Sequence, residues 1–282
     1  MTLSLNNLTF IIVTFKSEHI IHECIESLPK NSEIILIDNS NNNDMKNDLE
    51  KKYNKIRVIV QKNEGMGSAN NKGIKLCKTD YAFVINPDVK FYKNTIQALI
   101  DFSSKNIDYA VIAPISDNLR YPNYKITSKN VLESADDHLS VDSVDGFAML
   151  INKNKFKDNI YFDENFFLYL ENDDLCLRIK KENHNIFIIK NSQINHKGSI
   201  SRNADLELLR NWHWMWSKYY FNKKHYGTLI ALIKVSPNFL SAIFKYLINL
   251  VIFNNYKRKI YKMRILGLYN SIIGKKSWYR LK

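Results

Sequence analysis

The fold is decided by a short apolar stretch that ends in a turn, YAFVINPDV at residues 81–89. Its first five residues are apolar, and most are aromatic or β-branched, which is typical of a strand buried in a parallel sheet. Pro87 cannot donate a hydrogen bond to a neighbouring strand, so we expect the strand to end before it. Asp88 is therefore predicted to lie on a loop just beyond the edge of the sheet.

Similar apolar segments occur on both sides of this stretch and alternate with helical patterns. This alternation favours βαβ units, the α/β class and a mostly parallel central sheet with helices on both faces. The predicted strands are residues 10–15, 33–38, 56–61, 109–114, 143–156 and 185–190, and the predicted helices are 18–28, 67–77 and 94–104. The polar residues 116–140 are predicted to form an irregular loop over a site.

Ligands of open α/β sheets bind beyond the carboxyl ends of the strands, where the strand order reverses. Thr14, Asp38 and the Asn86–Asp88 unit all come at predicted strand ends. We therefore expect a binding site at this edge of the sheet.

Composition and cysteine usage point to a globular intracellular protein. The chain has 282 residues, of which 45% are hydrophobic and 24% charged, so wholesale disorder is not expected. Cys24, Cys77 and Cys176 are far apart and in apolar contexts, which predicts reduced core thiols in a cytosolic protein. No basic segment precedes the first apolar run, so we expect no signal peptide.

The formal net charge of +13 is concentrated at one end of the chain. Residues 1–206 hold 26 Lys and Arg against 27 Asp and Glu, whereas residues 207–282 hold 15 Lys and Arg against Glu207 alone. This asymmetry predicts a main domain at 1–206 and a basic tail at 207–282 that meets an anionic partner.

The tail carries two amphipathic helical patterns. Residues 210–227 are rich in aromatic side chains, and Ser236–Pro237 is predicted to cap and begin a second helix with a wide apolar face. Lys234 and Lys245 interrupt the apolar run, so we do not expect this helix to span a membrane.

With the basic stretch 256–264, the second helix predicts an interfacial element on an anionic membrane. The protein is accordingly expected to be cytoplasmic and peripheral at the inner face of the cell membrane. A helical hairpin packed on the main domain, with its charges solvated, is the alternative.

Three loops supply candidates for chemistry. A strand-end carboxylate such as Asp88 suits Mg²⁺ or Mn²⁺ when substrate phosphates and water complete the shell, although NPDV is also ordinary turn chemistry. Asp38 is placed to accept from a base or a ribose hydroxyl, and an Asx-turn is its alternative role. Gly65 and Gly67 permit close backbone approach before a helix N-terminus that suits an anion, but their spacing is not that of a P-loop or a dinucleotide fingerprint.

In order and spacing, these stretches resemble family 2 glycosyltransferases, most of all the bacterial rhamnosyltransferase-type members. The resemblance also rests on SVDGFAMLINKNKF (143–156) and YFDENFFLYLENDDLCLRIKKENHNIFIIKNSQINHKGSIS (161–201), and it runs from about residue 8 to about 226. It implies a GT-A fold with a nucleotide-sugar half at about 8–90 and an acceptor half at about 91–206. It also implies inverting transfer of a sugar, with rhamnose as one candidate, from a nucleotide-diphospho-sugar donor to a glycan or lipid-linked acceptor in cell-surface polysaccharide synthesis.

The resemblance also assigns residues and a divalent cation. The donor-binding candidates are Thr14, Asp38, Asn63, Gly65, Asn70 and Asn86. Asn86 and Asp88 stand where the family has Asp-x-Asp, so Asp88 becomes the main metal ligand. His196 matches a histidine that reaches the metal or the diphosphate in some relatives, and a structural histidine is its alternative.

The catalytic base is the point at which this chain departs from the family. The usual pattern is Glu-Asp-any-Asp, and Asn172 occupies the position that commonly holds the base. The remaining candidates are Glu171, Asp173 and Asp174. Acids in the first turn of a helix also stabilise its dipole, which explains Asp173 and Asp174 without catalysis, so Glu171 is the predicted base.

Two other classes of protein stay open. Asn86 and Asn172 together are compatible with a catalytically impaired scaffold or a nucleotide-sugar-binding protein. The basic tail is compatible with nucleic-acid binding, but it contains no recognisable nucleic-acid module, so no nucleic-acid partner is expected.

Overall fold

The computed structural model describes residues 2–118, 122–127, 137–156, 158–198 and 204–280. The chain forms two compact units. The first comprises Met1–Asp163 and Asn172–Gly198, and the second comprises Glu164–Glu171 and Ser199–Lys282. The units therefore divide before residue 206, and a short segment ahead of Asn172 belongs with the C-terminal part.

The first unit has an α/β fold, a β-sheet with helices packed against it. Its strands are β1 (Leu8–Thr14), β2 (Glu33–Asp38), β3 (Ile56–Val60), β4 (Tyr81–Ile85), β5 (Val89–Phe91), β6 (Val111–Ser116), β7 (Tyr124–Lys125), β8 (His138–Ser140), β9 (Ser143–Val144), β10 (Ala148–Asn152) and β11 (Ile186–His196). Its helices are α1 (Glu18–Ser27), α2 (Asn43–Lys52), α3 (Met66–Leu76), α4 (Thr95–Ser104) and α5 (Glu171–Lys181), of which α5 begins in the second unit.

The strand order contains a reversal of the kind at which open α/β sheets bind ligands. Over the described residues the main sheet runs β3-β2-β1-β4-β10-β6-β11-β5, with β8 paired to β11. The first four strands are parallel, and β10 joins β4 and β6 in antiparallel register. The chain moves outward from β1 to β3 and then returns to the other side of β1 as β4, so the switch point lies between the carboxyl ends of β1 and β4.

Apolar residues cover both faces of the sheet. Along β1, Phe10 and Ile12 belong to one core cluster, and Ile11 and Val13 belong to another. Since successive strand residues point to opposite faces, each cluster lies on its own side. Helices α1 and α4 contribute to the first cluster, whereas α3 and α5 contribute to the second. The predicted α/β class with helices on both faces is confirmed.

Several local predictions need correction. Helix α2 is absent from the predicted elements; the side chain of Asn42 accepts a hydrogen bond from the Met45 amide at 3.0 Å and thereby caps it. The predicted strand 143–156 is divided into β9, β10 and a 3-10 helix at Lys153–Lys155. In the predicted loop 116–140, residues 119–121 and 128–136 lie outside the described residues. The three cysteines are free and buried, as expected.

The second unit contains three long helices, α6 (Ala204–Tyr226), α7 (Thr228–Val251) and α8 (Asn255–Ile272). The predicted start of α7 at Ser236–Pro237 was wrong, because the helix begins at Thr228 and continues through Pro237. Pro237 cannot donate to the Ile233 carbonyl, but Ser236 Oγ donates to that oxygen at 2.9 Å. By length and composition alone, α7 could cross a membrane, contrary to the expectation from Lys234 and Lys245.

Candidate functional site

The carboxyl end of β4 brings Asp88 and His196 together. The Asn86 carbonyl accepts from the Val89 amide at 3.3 Å, which closes the turn around Pro87 and starts β5. Strand β5 pairs antiparallel with β11, with Val89 opposite His196. Asp88 Oδ2 and His196 Nε2 consequently lie 3.3 Å apart, with side chains 12% and 22% exposed.

Phe147 fixes the position of His196. The two rings stack with their centroids 3.8 Å apart and their planes at 20°. Phe147 precedes β10, and its carbonyl accepts from the Asn86 amide at 2.9 Å. Backbone pairing and ring stacking therefore hold the predicted metal ligands at one place.

A second group of polar residues belongs to the same unit. Asp173 accepts from Lys125 Nζ at 2.7 and 2.9 Å. Asn172 donates from Nδ2 to the Val144 carbonyl at 3.0 Å, and its Cβ would lie only 3.3 Å from a Cβ built on Gly146. The amide that replaces the family's usual carboxylate thus packs beside the backbone that carries Asp145.

Asp145 is a functional candidate that the sequence reasoning missed. Burial raises the pKa of its carboxyl group above the ordinary value, and the negative charge of Asp173 adds to this, while Lys125 and His196 oppose it. A carboxyl group with a raised pKa is a common feature of acid–base sites. The signal available in the sequence is the acid in VDGFAML, a stretch that carries part of the family resemblance.

Asp174 and Glu171 have different surroundings. Asp174 is fully buried and pairs with Arg178 Nε at 3.0 Å, and Arg178 also donates to the Tyr161 carbonyl. This geometry gives Asp174 a role in anchoring α5. Glu171 is 8% exposed, belongs to the second unit and is the first residue of α5. It therefore lies in the first turn of the helix, so the dipole stabilisation that explains Asp173 and Asp174 without catalysis applies to Glu171 as well.

The backbone before Glu171 is strained. Tyr169 and Leu170 have φ values of 71° and 67°, in the left-handed region. For bulky side chains this costs about 1–2 kcal/mol per residue, and such outliers concentrate at functional sites. The strain therefore supports a functional role for this corner.

At the ends of β1 and β2, Asp38 organises a loop. It is fully buried, and its carboxylate accepts from Thr14 Oγ1 at 3.2 Å, from the Ser40 amide and hydroxyl at 3.1 and 2.5 Å, and from the Asn42 amide at 2.8 Å. The Ser40 contact is the Asx-turn that the sequence allowed. The loop that follows borders an open pocket of about 700 Å³ lined by Lys16, Glu18, Ser40, Asn41, Asn42, Asn43 and Asp44.

The start of α3 supplies the other donor-binding candidates. Gly65 caps the helix with φ 106°, a conformation that favours glycine, and its amide donates to Asn63 Oδ1 at 3.0 Å. Asn70 is 3% exposed, and its Oδ1 has no hydrogen-bond partner among the described residues. Such a buried acceptor is consistent with a ligand donor. The neighbouring Asn71 instead exchanges two hydrogen bonds with the Phe162 backbone, at 2.8 and 2.9 Å.

Asp88 and His196 fit a divalent cation that takes most of its ligands from substrate phosphates and water. They present a carboxylate oxygen and an imidazole nitrogen side by side and partly open to solvent. Within the described part of the chain, no group of three His, Cys, Asp or Glu side chains could hold a metal ion. Mg²⁺ sites often have this form, with one or two carboxylates and the remaining positions filled by phosphate and water.

Comparison with known proteins places this arrangement in a class. The structure resembles the mannosyltransferase PcManGT from Pyrobaculum calidifontis in complex with GDP-Man and Mn²⁺, with a TM-score of 0.59, 8% identity and coverage of 96% of this chain and 88% of that one. It also resembles GalNAc-T7 with UDP, GalNAc and Mn²⁺, with a TM-score of 0.58, 15% identity and coverage of 78% and 51%. The fold is the GT-A fold of nucleotide-diphospho-sugar transferases.

The sequence comparisons identify the family. The family model described as Glycosyl transferase family 2 matches residues 9–170, more than half of the chain, and the chain belongs to that family. The low-salt glycan biosynthesis hexosyltransferase Agl10 of Haloferax volcanii is 28% identical over 200 residues, which is 64% of each chain. The putative glycosyltransferase EpsH of Bacillus subtilis is 31% identical over 88 residues, 28% of this chain and 25% of that one. The chain thus spans less than two thirds of these relatives' lengths.

Proposed function

We propose that this protein transfers a hexose from a nucleotide-diphospho-sugar donor to a glycan or lipid-linked acceptor, with inversion at the anomeric carbon. The observation that carries the proposal is the Asp88–His196 pair beside the switch point of a GT-A sheet. The similarity to the hexosyltransferase Agl10 and to the mannosyltransferase PcManGT, which binds GDP-Man, supports hexosyl transfer from a nucleotide sugar.

The donor is proposed to lie across the ends of β1 and β4. The loop that Asp38 orders and the pocket beside it would receive the nucleoside, and Gly65 and Asn70 are further candidate contacts to the donor. Asp88 and His196 would hold a divalent cation on the diphosphate, and that cation would offset the negative charge that develops on the leaving group. Phe147 would keep the His196 ring in position for this contact.

The proton of the acceptor hydroxyl requires a base, and we propose Glu171 for this role. Glu171 matches the glutamate that begins the family's Glu-Asp-any-Asp pattern. Asn172, at the position that commonly holds the base, cannot act as one, and the left-handed residues before Glu171 indicate a constrained backbone. Asp173 already accepts two hydrogen bonds from Lys125, and Asp174 is tied to Arg178. Asp145, with its raised pKa, is the rival that the structure adds.

The test is a thermal-shift titration of the full chain with dTDP, UDP and GDP, each with Mn²⁺ and with EDTA. A ligand that binds the native state alone stabilises it by about 2.7 kcal/mol at a hundredfold excess over its dissociation constant. We expect a shift that requires metal for one nucleotide. A shift with dTDP would favour rhamnose, whereas UDP or GDP would point to another sugar.

Negative results would reject either the donor assignment or sugar transfer. If none of the three nucleotides shifts the melting temperature, the donor assignment fails and the impaired scaffold becomes the better account. If a nucleotide binds but its sugar donor is never turned over with any glycan or lipid-linked acceptor, the chain is a nucleotide-sugar-binding protein. Release of free nucleotide only when acceptor is present would establish transfer.

A further inference from the structure

Helix α7 packs its small side chains inward and leaves its large apolar side chains outside. Its buried residues are Ala231, Val235, Ala242 and Asn249. Its exposed apolar residues, with 40–73% of each exposed, are Leu229, Ile230, Leu232, Ile233, Leu240, Phe244, Leu247, Ile248, Leu250 and Val251. A helix of a water-soluble protein normally turns such residues inward. Small residues at helix contacts with large ones outside are typical of helices that meet lipid.

The exposed residues form one face, and lysines border it. At 3.6 residues per turn, the exposed apolar positions of α7 fall on one side of the helix. Lys234 and Lys245 lie on nearly the same line at the margin of that face. Their ammonium groups lie 4.0 Å from the Tyr226 ring centroid and 5.8 Å from the Tyr261 ring centroid, respectively. Lysine stems beside an apolar surface, with the charge at its edge, are favoured at membrane interfaces.

The turn after α7 gives an independent indication. The amide of Asn254 donates to the Asn249 carbonyl at 3.0 Å, and the amide of Phe253 donates to the Leu250 carbonyl at 3.3 Å. This is a Schellman motif, whose left-handed residue is usually glycine. Here that residue is Phe253, with φ 54° and 84% of its surface exposed. The left-handed backbone costs free energy, and so does the exposure of the aromatic ring to water. Entry of the ring into an apolar phase would remove the second cost.

The positive charge of the residues after Glu207 favours an anionic partner. After Glu207 the sequence contains no further acid, and basic residues follow the apolar face directly at Lys257, Arg258, Lys259, Lys262 and Arg264. Two copies meeting through this face would bring two strongly positive segments together. An anionic lipid surface complements both the apolar residues and the charge.

The packing of the three helices favours an in-plane arrangement over a span. Within the second unit, α7 contacts both α6 and α8. To cross a bilayer, α7 would have to leave these helices or bring the basic start of α8 into the hydrocarbon, and charges there are costly. A helix that lies in the interface requires neither.

We infer that α7 and the turn at Phe253 form an apolar face that lies in the surface of an anionic membrane while α7 stays packed on α6 and α8. The face binds bilayers that contain acidic phospholipids. This interaction does not depend on sugar transfer, so it can be tested without any nucleotide.

The experiment is co-sedimentation of the full chain with vesicles of phosphatidylcholine alone or with one third phosphatidylglycerol, at low and high salt. We expect binding to the anionic vesicles that weakens with salt. The double substitution Leu240→Ser with Phe244→Ser should weaken it about tenfold or more. The matched control, Leu5→Ser with Ile160→Ser, changes exposed apolar residues of the first unit and should leave binding unchanged.

Two further variants separate membrane contact from folding. Phe253→Gly should weaken vesicle binding several-fold while the melting temperature stays equal or rises, since glycine suits the left-handed turn. A merely structural role for Phe253 would lower the melting temperature instead. Lys257→Gln with Lys259→Gln should weaken binding to anionic vesicles more than the control Lys30→Gln with Lys51→Gln.

Three results would overturn the inference. One is a chain that stays in the supernatant with anionic vesicles at low salt. Another is a dimer in solution that Leu240→Ser with Phe244→Ser converts to a monomer, because the face would then belong to a second copy. The third is bound protein that resists extraction by alkaline carbonate, which would indicate a spanning α7.

Discussion

The β-sheet of the first unit and helix α7 of the second use the same kinds of apolar residue in opposite ways. In β1 every residue from Leu8 to Thr14 is buried, whereas in α7 most Leu, Ile and Phe side chains are exposed. The first 206 residues are nearly balanced in charge, and the rest are strongly basic. The difference shows that one region completes its apolar packing within the chain, while the other leaves an apolar face exposed.

The largest expected effect is the removal of the carboxylate at the end of β4. Asp88→Ala should abolish the metal-dependent thermal shift by nucleotide and reduce transfer by about 10³-fold, because the diphosphate loses its cation contact. Asp101→Ala, an exposed acid on α4, is the matched control. Vesicle binding should be the same in both variants. If nucleotide still raises the melting temperature of the Asp88→Ala variant, and EDTA still removes that increase, the assignment of Asp88 as a metal ligand is wrong.

The proposed base gives the next effect. Glu171→Gln should leave nucleotide binding unchanged and reduce transfer by about 10²-fold or more, the scale of general-base catalysis. Comparison of kcat with donor affinity for Glu171→Gln, Asp173→Asn and Asp145→Asn checks this. If one of the other two variants shows the larger loss in kcat, the base belongs to that residue.

The cost of adding a methyl group at Gly73 in the first unit and at Gly267 in the second compares how tightly the two units are packed. A Cβ on Gly267 would lie 2.1 Å from the Trp212 carbonyl oxygen, whereas a Cβ on Gly73 would lie 2.3 Å from the Cγ2 of Ile11. A backbone atom cannot move as readily as a methyl group, so Gly267→Ala should cost about 3 kcal/mol and Gly73→Ala about 1 kcal/mol. Urea unfolding of the two variants measures both values. Equal losses in the free energy of unfolding for the two variants would mean that α8 moves away from α6 as easily as the Ile11 side chain moves away from α3.

The smallest effect concerns Asp145. Burial raises the pKa of its carboxyl group above the usual 3.8, so the folded state favours the protonated form. The stabilisation is present at acid pH and is lost as the pH rises through the raised value. Asp145→Asn should therefore raise the melting temperature by a few degrees near neutral pH, and the gain should shrink in acid.

The matched control for that prediction is Asp142→Asn. Asp142 belongs to the same segment, and its carboxylate accepts from the Thr127 amide at 2.5 Å, so its loss should destabilise the protein. A pH-independent gain for Asp145→Asn, measured by thermal melts across the acid range, would remove the electrostatic explanation. A stabilised variant with about tenfold lower transfer would mark Asp145 as part of the site.

The placement of Asp88 beyond a strand end could be predicted because its signals are local. Pro87 ends β4, so Asp88 falls beyond the sheet, and apolar strands that alternate with helices leave few arrangements other than a parallel sheet. Asp145 and Phe147 could not be found in this way. Their placement depends on the antiparallel pairing of β10 with β4, which joins residues 63 to 71 positions apart in sequence, and no local pattern encodes that pairing.

Residue order and composition are enough to establish the α/β class, the strand-end placement of Asp88 and the concentration of positive charge after residue 206. The contact between His196 and Asp88 instead depends on tertiary structure, because β5 and β11, which are distant in sequence, must pair. Tertiary structure also decided which side of α7 is covered, because an apolar periodicity predicts a face but not whether another part of the chain packs against it.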